Sequence, residues 1–268
     1  MQLTTYSGQK ASILGLAAQQ QMEAETVAVA FEALINYFFF YNLDCENFLS
    51  ELKLLAATKR EQVLVATGSE NREISSLDRY LNSVRHRLDV DAVDVFFVEY
   101  VSPDDDMNQV RAILDELRSQ KEKGLIRYVG ITTHNRLIAI ETIARGECDV
   151  LMHRYNMAHR KVEEDVLPSA QKASIPLVAF TCTRWGSLLN GHPHWHSKPP
   201  TAADCYRYVL SHPAVHLALT APKTRQQLAQ NLSVLHASPL SPQEIVHWQE
   251  YGDLIYGTGQ DAFDTQWV

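Results

Sequence analysis

The chain has 268 residues, 46% of them hydrophobic, and a formal net charge of −8 at pH 7. This composition excludes a disordered class, and the acidic balance disfavours nucleic acid, which usually selects a basic excess or stripe. No apolar run approaches the roughly 20 residues that span a bilayer, so we expect no membrane partner. Four scattered cysteines without a CxxC pair favour a reduced, cytoplasmic protein with no zinc or iron–sulfur site.

Short apolar runs alternate with amphipathic segments along almost the whole chain. The strand candidates are 13–18, 35–41, 63–67, 93–101, 126–131, 150–155, 176–183 and 215–220. The helix candidates are 23–34, 48–57, 77–88, 110–120, 137–144, 162–173, 202–210, 225–235 and 241–251. Strands that read as continuous apolar runs indicate a parallel sheet covered on both faces.

Eight such strand–helix units predict a single domain over residues 1–268, a closed (β/α)8 TIM barrel. The alternative is an open doubly wound sheet, but no GxGxxG follows the first strand. The stretch 123–135, KGLIRYVGITTHN, fits a barrel unit well. Gly124 stands where a helix C-cap needs positive φ, and the strand after it ends in Thr132 and Thr133. In such folds the site lies at that end of the strands.

Seven phrases, in order, resemble those of the aldo-keto reductase family. They are INYFF, REQVLVAT, VDVFFVE, KGLIRYVGITTHN, RYN, IPLVAFTCTRWGSLLNG and TAPKTRQQLAQNL. Together with the first strand they cover about residues 13 to 235. The resemblance implies a TIM barrel that binds NADP(H) and reduces a carbonyl on a small-molecule substrate.

The catalytic positions implied by the resemblance have all changed. That family uses an Asp, Tyr, Lys and His tetrad, in which the Lys lowers the pKa of the Tyr acid. Here the Asp position is Phe39, the Lys position Gly68 and the His position Glu99, and the Tyr position falls near 42–44. A tyrosine needs a cationic neighbour to act as an acid at neutral pH, so ordinary aldehyde reduction is not expected.

Three residues remain as candidate proton carriers: Glu99, Asp44 and Tyr41. A glutamate in an apolar strand has a raised pKa if it is buried, which suits a general acid or base. The structural alternative is an ion pair between Glu99 and Arg154, which is predicted to face the same interior.

The resemblance also implies two groups of cofactor-binding residues. Near the nicotinamide are Thr132, Thr133, Met152, Phe180 and Thr181, the last opening a loop whose N–H groups can hold a pyrophosphate. At the adenosine 2′-phosphate end are Lys223, Thr224, Arg225, Gln227 and Asn231. Met152 stands where the family has Gln and cannot bond a carboxamide in both senses. The alternative for the second group is an ordinary polar helix face.

Two further segments carry expectations. The alternate histidines His192, His194 and His196 can chelate a metal, but a loop lid or surface tract without metal is preferred. The C-terminal tail, 252–268, carries Tyr256, Phe263 and Trp267, and we expect it to line the substrate pocket or contact a second copy or partner protein.

Three functional hypotheses follow. The first is a reductase-like enzyme that binds NADP(H) and has a rewired site with atypical or lost carbonyl-reductase activity. The second is a catalytically inactive binding or regulatory barrel. The third is a redox-neutral lyase, isomerase or cyclase that uses Glu99.

Overall fold

A closed barrel of eight parallel strands forms the body of the protein, as the alternating sequence pattern predicts. The computed structural model describes residues 2–259. Each strand pairs with the next in the chain, and β8 returns to β1. The strands are β1 (Leu14–Ala17), β2 (Tyr37–Phe40), β3 (Leu64–Ser69), β4 (Val93–Val98), β5 (Ile126–Thr133), β6 (Val150–Arg154), β7 (Leu177–Phe180) and β8 (Val215–Thr220).

Helices connect the strands and cover the outside of the barrel. They are α1 (Thr26–Glu32), α2 (Glu46–Lys59), α3 (Ile74–Leu88), α4 (Met107–Glu122), α5 (Arg136–Arg145), α6 (Val166–Ala173), α7 (Ala202–Leu210), α8 (Arg225–Leu232) and α9 (Pro242–Tyr256). The prediction for the first helix was too long, because Leu34 has φ +71 and is 79% exposed rather than part of the buried face. Gly124 has φ +76 just after α4, which confirms the predicted C-cap.

Alternate residues of the strands build two separate cores. One set points outward and packs against the helices. The other fills the barrel and includes Phe39, Phe97, Met152 and Phe180. This division follows from the period of two along a strand, and it makes the barrel interior a packed core rather than a channel.

The N-terminal segment closes the bottom of the barrel. Leu3 packs into the interior cluster, and Thr4 pairs with Lys10 in a short antiparallel bridge. Asp94, fully buried on β4, binds Arg60 at 2.8 Å and Arg127 at 2.6 Å. These contacts fix a charged floor at the amino ends of the strands.

The last helix is longer than predicted, because α9 continues past residue 251 to Tyr256. A capping box at Ser241 and Glu244 begins this helix, and Gly257 with φ +55 ends it. Phe263 and Trp267 lie outside the described residues. Within residues 2–259, no helix is both long and apolar enough to cross a membrane.

Candidate active site

A cleft of about 750 Å³ opens at the carboxyl ends of the strands. Its walls come mainly from β7, β8 and the loops that follow them, with Tyr41 contributed from the loop after β2. This is the end of a parallel barrel at which ligands bind, because the connecting loops and the unpaired strand ends meet there.

Half of the predicted cofactor residues line this cleft: Phe180, Thr181, Lys223, Gln227 and Asn231. The others lie behind or beside its wall. Phe180 belongs to the interior core and also lines the cleft. It is the aromatic residue that the sequence predicts for stacking.

The residues expected near a carboxamide are less uniform. Thr132 is fully buried, and its Oγ1 has no hydrogen-bond partner among the described residues. Thr133 is on the opposite face of β5, where its hydroxyl donates to the Val101 carbonyl at 2.7 Å. Met152 is fully buried in the interior core. The structure thus brings Thr132 to the interior and leaves Thr133 to a structural role.

The start of α8 lies at the end of the cleft that the sequence predicts for an adenosine. Thr224 caps this helix by accepting the Gln227 N–H at 3.1 Å. The Gln227 side-chain oxygen accepts the Lys223 N–H at 2.8 Å, and Asn231 donates to Thr220 Oγ1 at 2.9 Å. These bonds order the corner and position the polar side chains of α8 along the cleft.

Arg225 does not line the cleft. Its guanidinium pairs with Glu25 at 2.6 Å, and its backbone N–H donates to the Glu23 carboxylate at 2.8 Å. Both acidic residues come from the loop between β1 and α1, which the sequence reading did not single out. The cation predicted to hold a phosphate is therefore already paired.

The loop after β7 has an unusual backbone. Thr181, Arg184 and Trp185 have φ of +53, +50 and +52, and Gly186 follows with +86. Asn156 supports this loop by donating to the Thr181 carbonyl at 2.9 Å. Within the loop, the Arg184 N–H donates to the Thr181 carbonyl at 2.8 Å and the Gly186 N–H to the Thr183 carbonyl at 3.0 Å. Contact between this loop and a pyrophosphate stays a prediction.

At the catalytic positions, Glu99 takes the space beside Gly68. Its Oε1 would lie 2.7 Å from a Cβ built on Gly68, so any side chain at residue 68 requires Glu99 to move. Phe39, at the expected Asp position, packs edge-on against Phe97 with 6.0 Å between ring centroids. Among the described residues, the interior around these positions is mainly apolar and aromatic, and it holds neither the lysine nor the aspartate of the family tetrad.

Glu99 is 2% exposed, and its Oε1 has no hydrogen-bond partner among the described residues. Burial raises its pKa well above the ordinary value, Glu70 adds to the rise, and Arg72 partly opposes it. Within residues 2–259, no ion pair joins Glu99 to Arg154, so that alternative is wrong. Both side chains were predicted to face the interior, but β5 lies between their strands and keeps them apart.

Tyr41, rather than Glu99, reaches the cleft. Burial raises the pKa of Tyr41 to about 12, Tyr100 lowers it in part, and Glu99 raises it further. The rings of Tyr41 and Tyr100 stack with centroids 6.4 Å apart, and Tyr100 stacks on His134 at 6.2 Å. The sequence reading missed Tyr100, although its place directly after Glu99 at the end of β4 was a usable signal.

Asp44 is exposed, does not line the cleft, and accepts no bond from Glu99 or Tyr41. The histidine tract is on the loop after β7, where Trp195 packs on His247 of α9 with 4.7 Å between ring centroids. Across residues 2–259, no group of three or more His, Cys, Asp or Glu side chains is arranged to hold a metal ion.

The fold and the cleft define a (β/α)8 barrel protein with a ligand site at the carboxyl ends of its strands. The chain belongs to the aldo/keto reductase family, whose model matches residues 16–198.

Solved structures of that family share the fold. Aldo-keto reductase AKR11C1 from Bacillus halodurans, in its apo form, is 19% identical with a TM-score of 0.75, covering 92% of this chain and 94% of its own. Its holo form gives 20% identity and a TM-score of 0.74, covering 90% and 92%. An aldo-keto reductase from Klebsiella pneumoniae in complex with NADPH is 16% identical with a TM-score of 0.75, covering 94% and 96%.

Proposed function

We propose that this chain binds a nicotinamide dinucleotide in the cleft above β7 and β8 and supports an atypical, slow carbonyl reduction of a small molecule. The observation that carries the proposal is the cleft itself. It joins an aromatic side chain, Phe180, to the start of α8, where Lys223 and Gln227 line the cleft, and to Asn231 further along that helix. The NADPH complex of the Klebsiella pneumoniae relative supports the same assignment.

The residues present fit such a group. Thr181 lines the cleft, and its Oγ1 has no partner among the described residues, so this hydroxyl can bond an amide or a phosphate oxygen. The Thr132 Oγ1 also has no partner among the described residues, but Thr132 is fully buried and does not line the cleft. NADP(H) is the form that Lys223, Thr224 and Arg225 predict from the sequence. In the structure, Arg225 is already paired with the Glu23 and Glu25 carboxylates.

When bound, the cofactor would supply the hydride for a substrate carbonyl. The protein's part is to donate the proton and to hold the carbonyl. Tyr41 is the hydroxyl that reaches the cleft, and no lysine lowers its pKa. It can donate a hydrogen bond but releases its proton poorly, which makes the expected turnover slow. Glu99 is buried and does not line the cleft, and its effect on Tyr41 is electrostatic, since its charge raises the pKa of Tyr41.

Two observations support the other hypotheses. The change at Phe39 and Gly68 suits a barrel that binds its ligand without hydride transfer. The buried, unpartnered Glu99 suits acid–base chemistry without a redox step. An inactive binding barrel and a redox-neutral enzyme would each leave reduced cofactor unconsumed. In the redox-neutral enzyme Glu99→Gln should abolish activity, whereas in the inactive barrel it should have no effect on ligand binding.

The test begins with binding. Purified protein is titrated with NADH and with NADPH while nucleotide fluorescence is followed, and we expect saturable binding of at least one. Oxidation of the bound nucleotide is then followed with a panel of aldehydes, ketones and enones. Tyr41→Phe should reduce turnover about tenfold or more and leave nucleotide affinity within about twofold. An absence of binding at high micromolar nucleotide would remove the proposal.

Two further expectations concern the cellular location of the protein and its association with other chains. All four cysteines are buried and free, which supports a reducing, cytoplasmic location. Association with a second copy or a partner protein through the C-terminal tail concerns residues outside the described range, and light scattering of the full chain against a chain ending at residue 259 tests it.

A further inference from the structure

The surface beside the cleft, where α8 begins, carries more negative than positive charge, and of its charged residues Lys223 lines the cleft. Glu23 and Glu25 approach Arg225, and Glu51 lies behind them on α2. The cations of the corner are Lys223 and Arg225. A helix N-terminus with a lysine and an arginine is an ordinary phosphate site, but here carboxylates already meet the arginine.

Glu23 takes the place of an anion. Its Oε2 accepts the Arg225 N–H, one of the free donors of the first turn of α8, at 2.8 Å. The same loop is tied to the corner through its backbone, because the Glu23 N–H donates to the Lys223 carbonyl at 3.1 Å. The carboxylate therefore already occupies one of the free N–H donors at the start of α8.

Glu25 is held in place by a strained backbone. Its φ is +66, which a non-glycine residue adopts only when its surroundings enforce it. Glu51 enforces it by accepting the Glu25 N–H at 2.5 Å and the Val27 N–H at 2.9 Å. The Glu25 carboxylate is then directed at Arg225, 2.6 Å away.

We infer that this chain prefers NAD(H) to NADP(H), because Glu23 and Glu25 exclude a 2′-phosphate from the start of α8. A carboxylate accepts hydrogen bonds from the hydroxyls of an unmodified ribose, whereas it repels a phosphate on the 2′-oxygen. The inference rests on the proposed function, since it concerns which dinucleotide the cleft takes. It disagrees with the sequence prediction of NADP(H), which counted Arg225 as free.

The experiment is a pair of binding titrations, by calorimetry at low salt, with NADH and NADPH. We expect NADH to bind about tenfold tighter or more. The same titrations with AMP, and with the nucleotide that adds a second phosphate on the 2′-oxygen, examine the adenosine corner alone. They should show the same order of affinity.

Two variants locate the cause. Glu23→Gln and Glu25→Gln should each shift the affinity ratio toward NADPH by several-fold. The matched control is Glu122→Gln, which removes the same charge from an exposed position on α4, across the barrel, and should leave the ratio unchanged. Using both variants guards against a loop rearrangement in one of them, and circular dichroism verifies the fold of each.

The titrations distinguish failure of the inferred NAD(H) preference from failure of the proposed nucleotide binding. If NADPH binds tighter than NADH, or if neither variant moves the ratio, the inference is wrong while the proposed function stands. If none of these nucleotides binds, the inference and the proposed function are both wrong.

Discussion

Gly68 and Glu99 exclude one another from a single volume, since a Cβ built on Gly68 would lie 2.6 Å from the Glu99 Cγ. These are two of the positions that the family resemblance singles out, and the structure couples them in space. A side chain at residue 68 requires the Glu99 side chain to move from its present place. A substitution at one position should therefore depend on the residue at the other.

Gly68→Ala should lower the free energy of unfolding by about 1–3 kcal/mol, because the added methyl overpacks against Glu99. The same substitution in a Glu99→Ala background should cost markedly less, since the space is then open. Urea denaturation of the four proteins gives the coupling energy. Equal costs in both backgrounds would show that the two residues do not compete.

Glu99→Gln should change how stability depends on pH. Burial raises the folded-state pKa of Glu99 above the ordinary 4.5, so the folded state holds this proton more tightly than the unfolded state. The stability that protonated Glu99 contributes is therefore complete below the ordinary pKa of the unfolded state. It is lost as the pH rises through the raised pKa of the folded state. Glutamine does not titrate, so we expect the variant to gain on the wild type as pH rises.

The measurement is the difference between the urea midpoints of the two proteins from about pH 5 to about pH 9. Other titrating groups, such as His153 with its pKa lowered to about 4 by burial, cancel in this difference. Parallel curves for the two proteins would contradict a buried titrating carboxyl at position 99.

Asn156→Ala should lower the free energy of unfolding by about 2–3 kcal/mol, because Asn156 is fully buried and bonds on both sides of its amide. It donates to the Thr181 carbonyl, and its Oδ1 accepts the Ala158 and His159 N–H groups at 3.0 and 2.9 Å. Nucleotide affinity should fall as well, since the loop after β7 loses its support. Asn82→Ala, on the exposed face of α3, is the control and should be near neutral.

Asp94→Asn should cost about 3 kcal/mol or more, because it leaves Arg60 and Arg127 without their shared buried carboxylate. Asp104→Asn, at an exposed position, removes the same charge and should change stability by less than about 0.5 kcal/mol. Thermal unfolding of both variants measures the difference. Similar melting temperatures would show that the charged floor contributes little.

The fold was predictable because its signal is local. Strand β8 was predicted to the residue, and β4 and β5 differed only at their ends, since apolar runs and flanking turn residues mark strands directly. The floor was not predictable, because Asp94 meets Arg60 and Arg127 only after the barrel closes. No periodicity records a contact of that kind.

The sequence predicted where the site lies, but it did not predict which side chains pair with one another there. The sequence placed Phe180, Lys223 and Asn231 correctly on one cleft. It could not show that Arg225 is taken by Glu23 and Glu25, residues about 200 positions away. Interior-facing parity likewise suggested a Glu99–Arg154 pair, because parity gives the face of a strand and not the distance across a barrel.

The packed lower end of the barrel also limits where a ligand can bind. Within residues 2–259, Leu3 packs into the barrel and the Tyr6 ring covers the Arg127 guanidinium, 4.1 Å from its centroid. Tyr41 lies at the other end, where it is 37% exposed and lines the cleft. A ligand that contacts Tyr41 therefore binds from the carboxyl ends of the strands, and the interior core separates it from the charged floor.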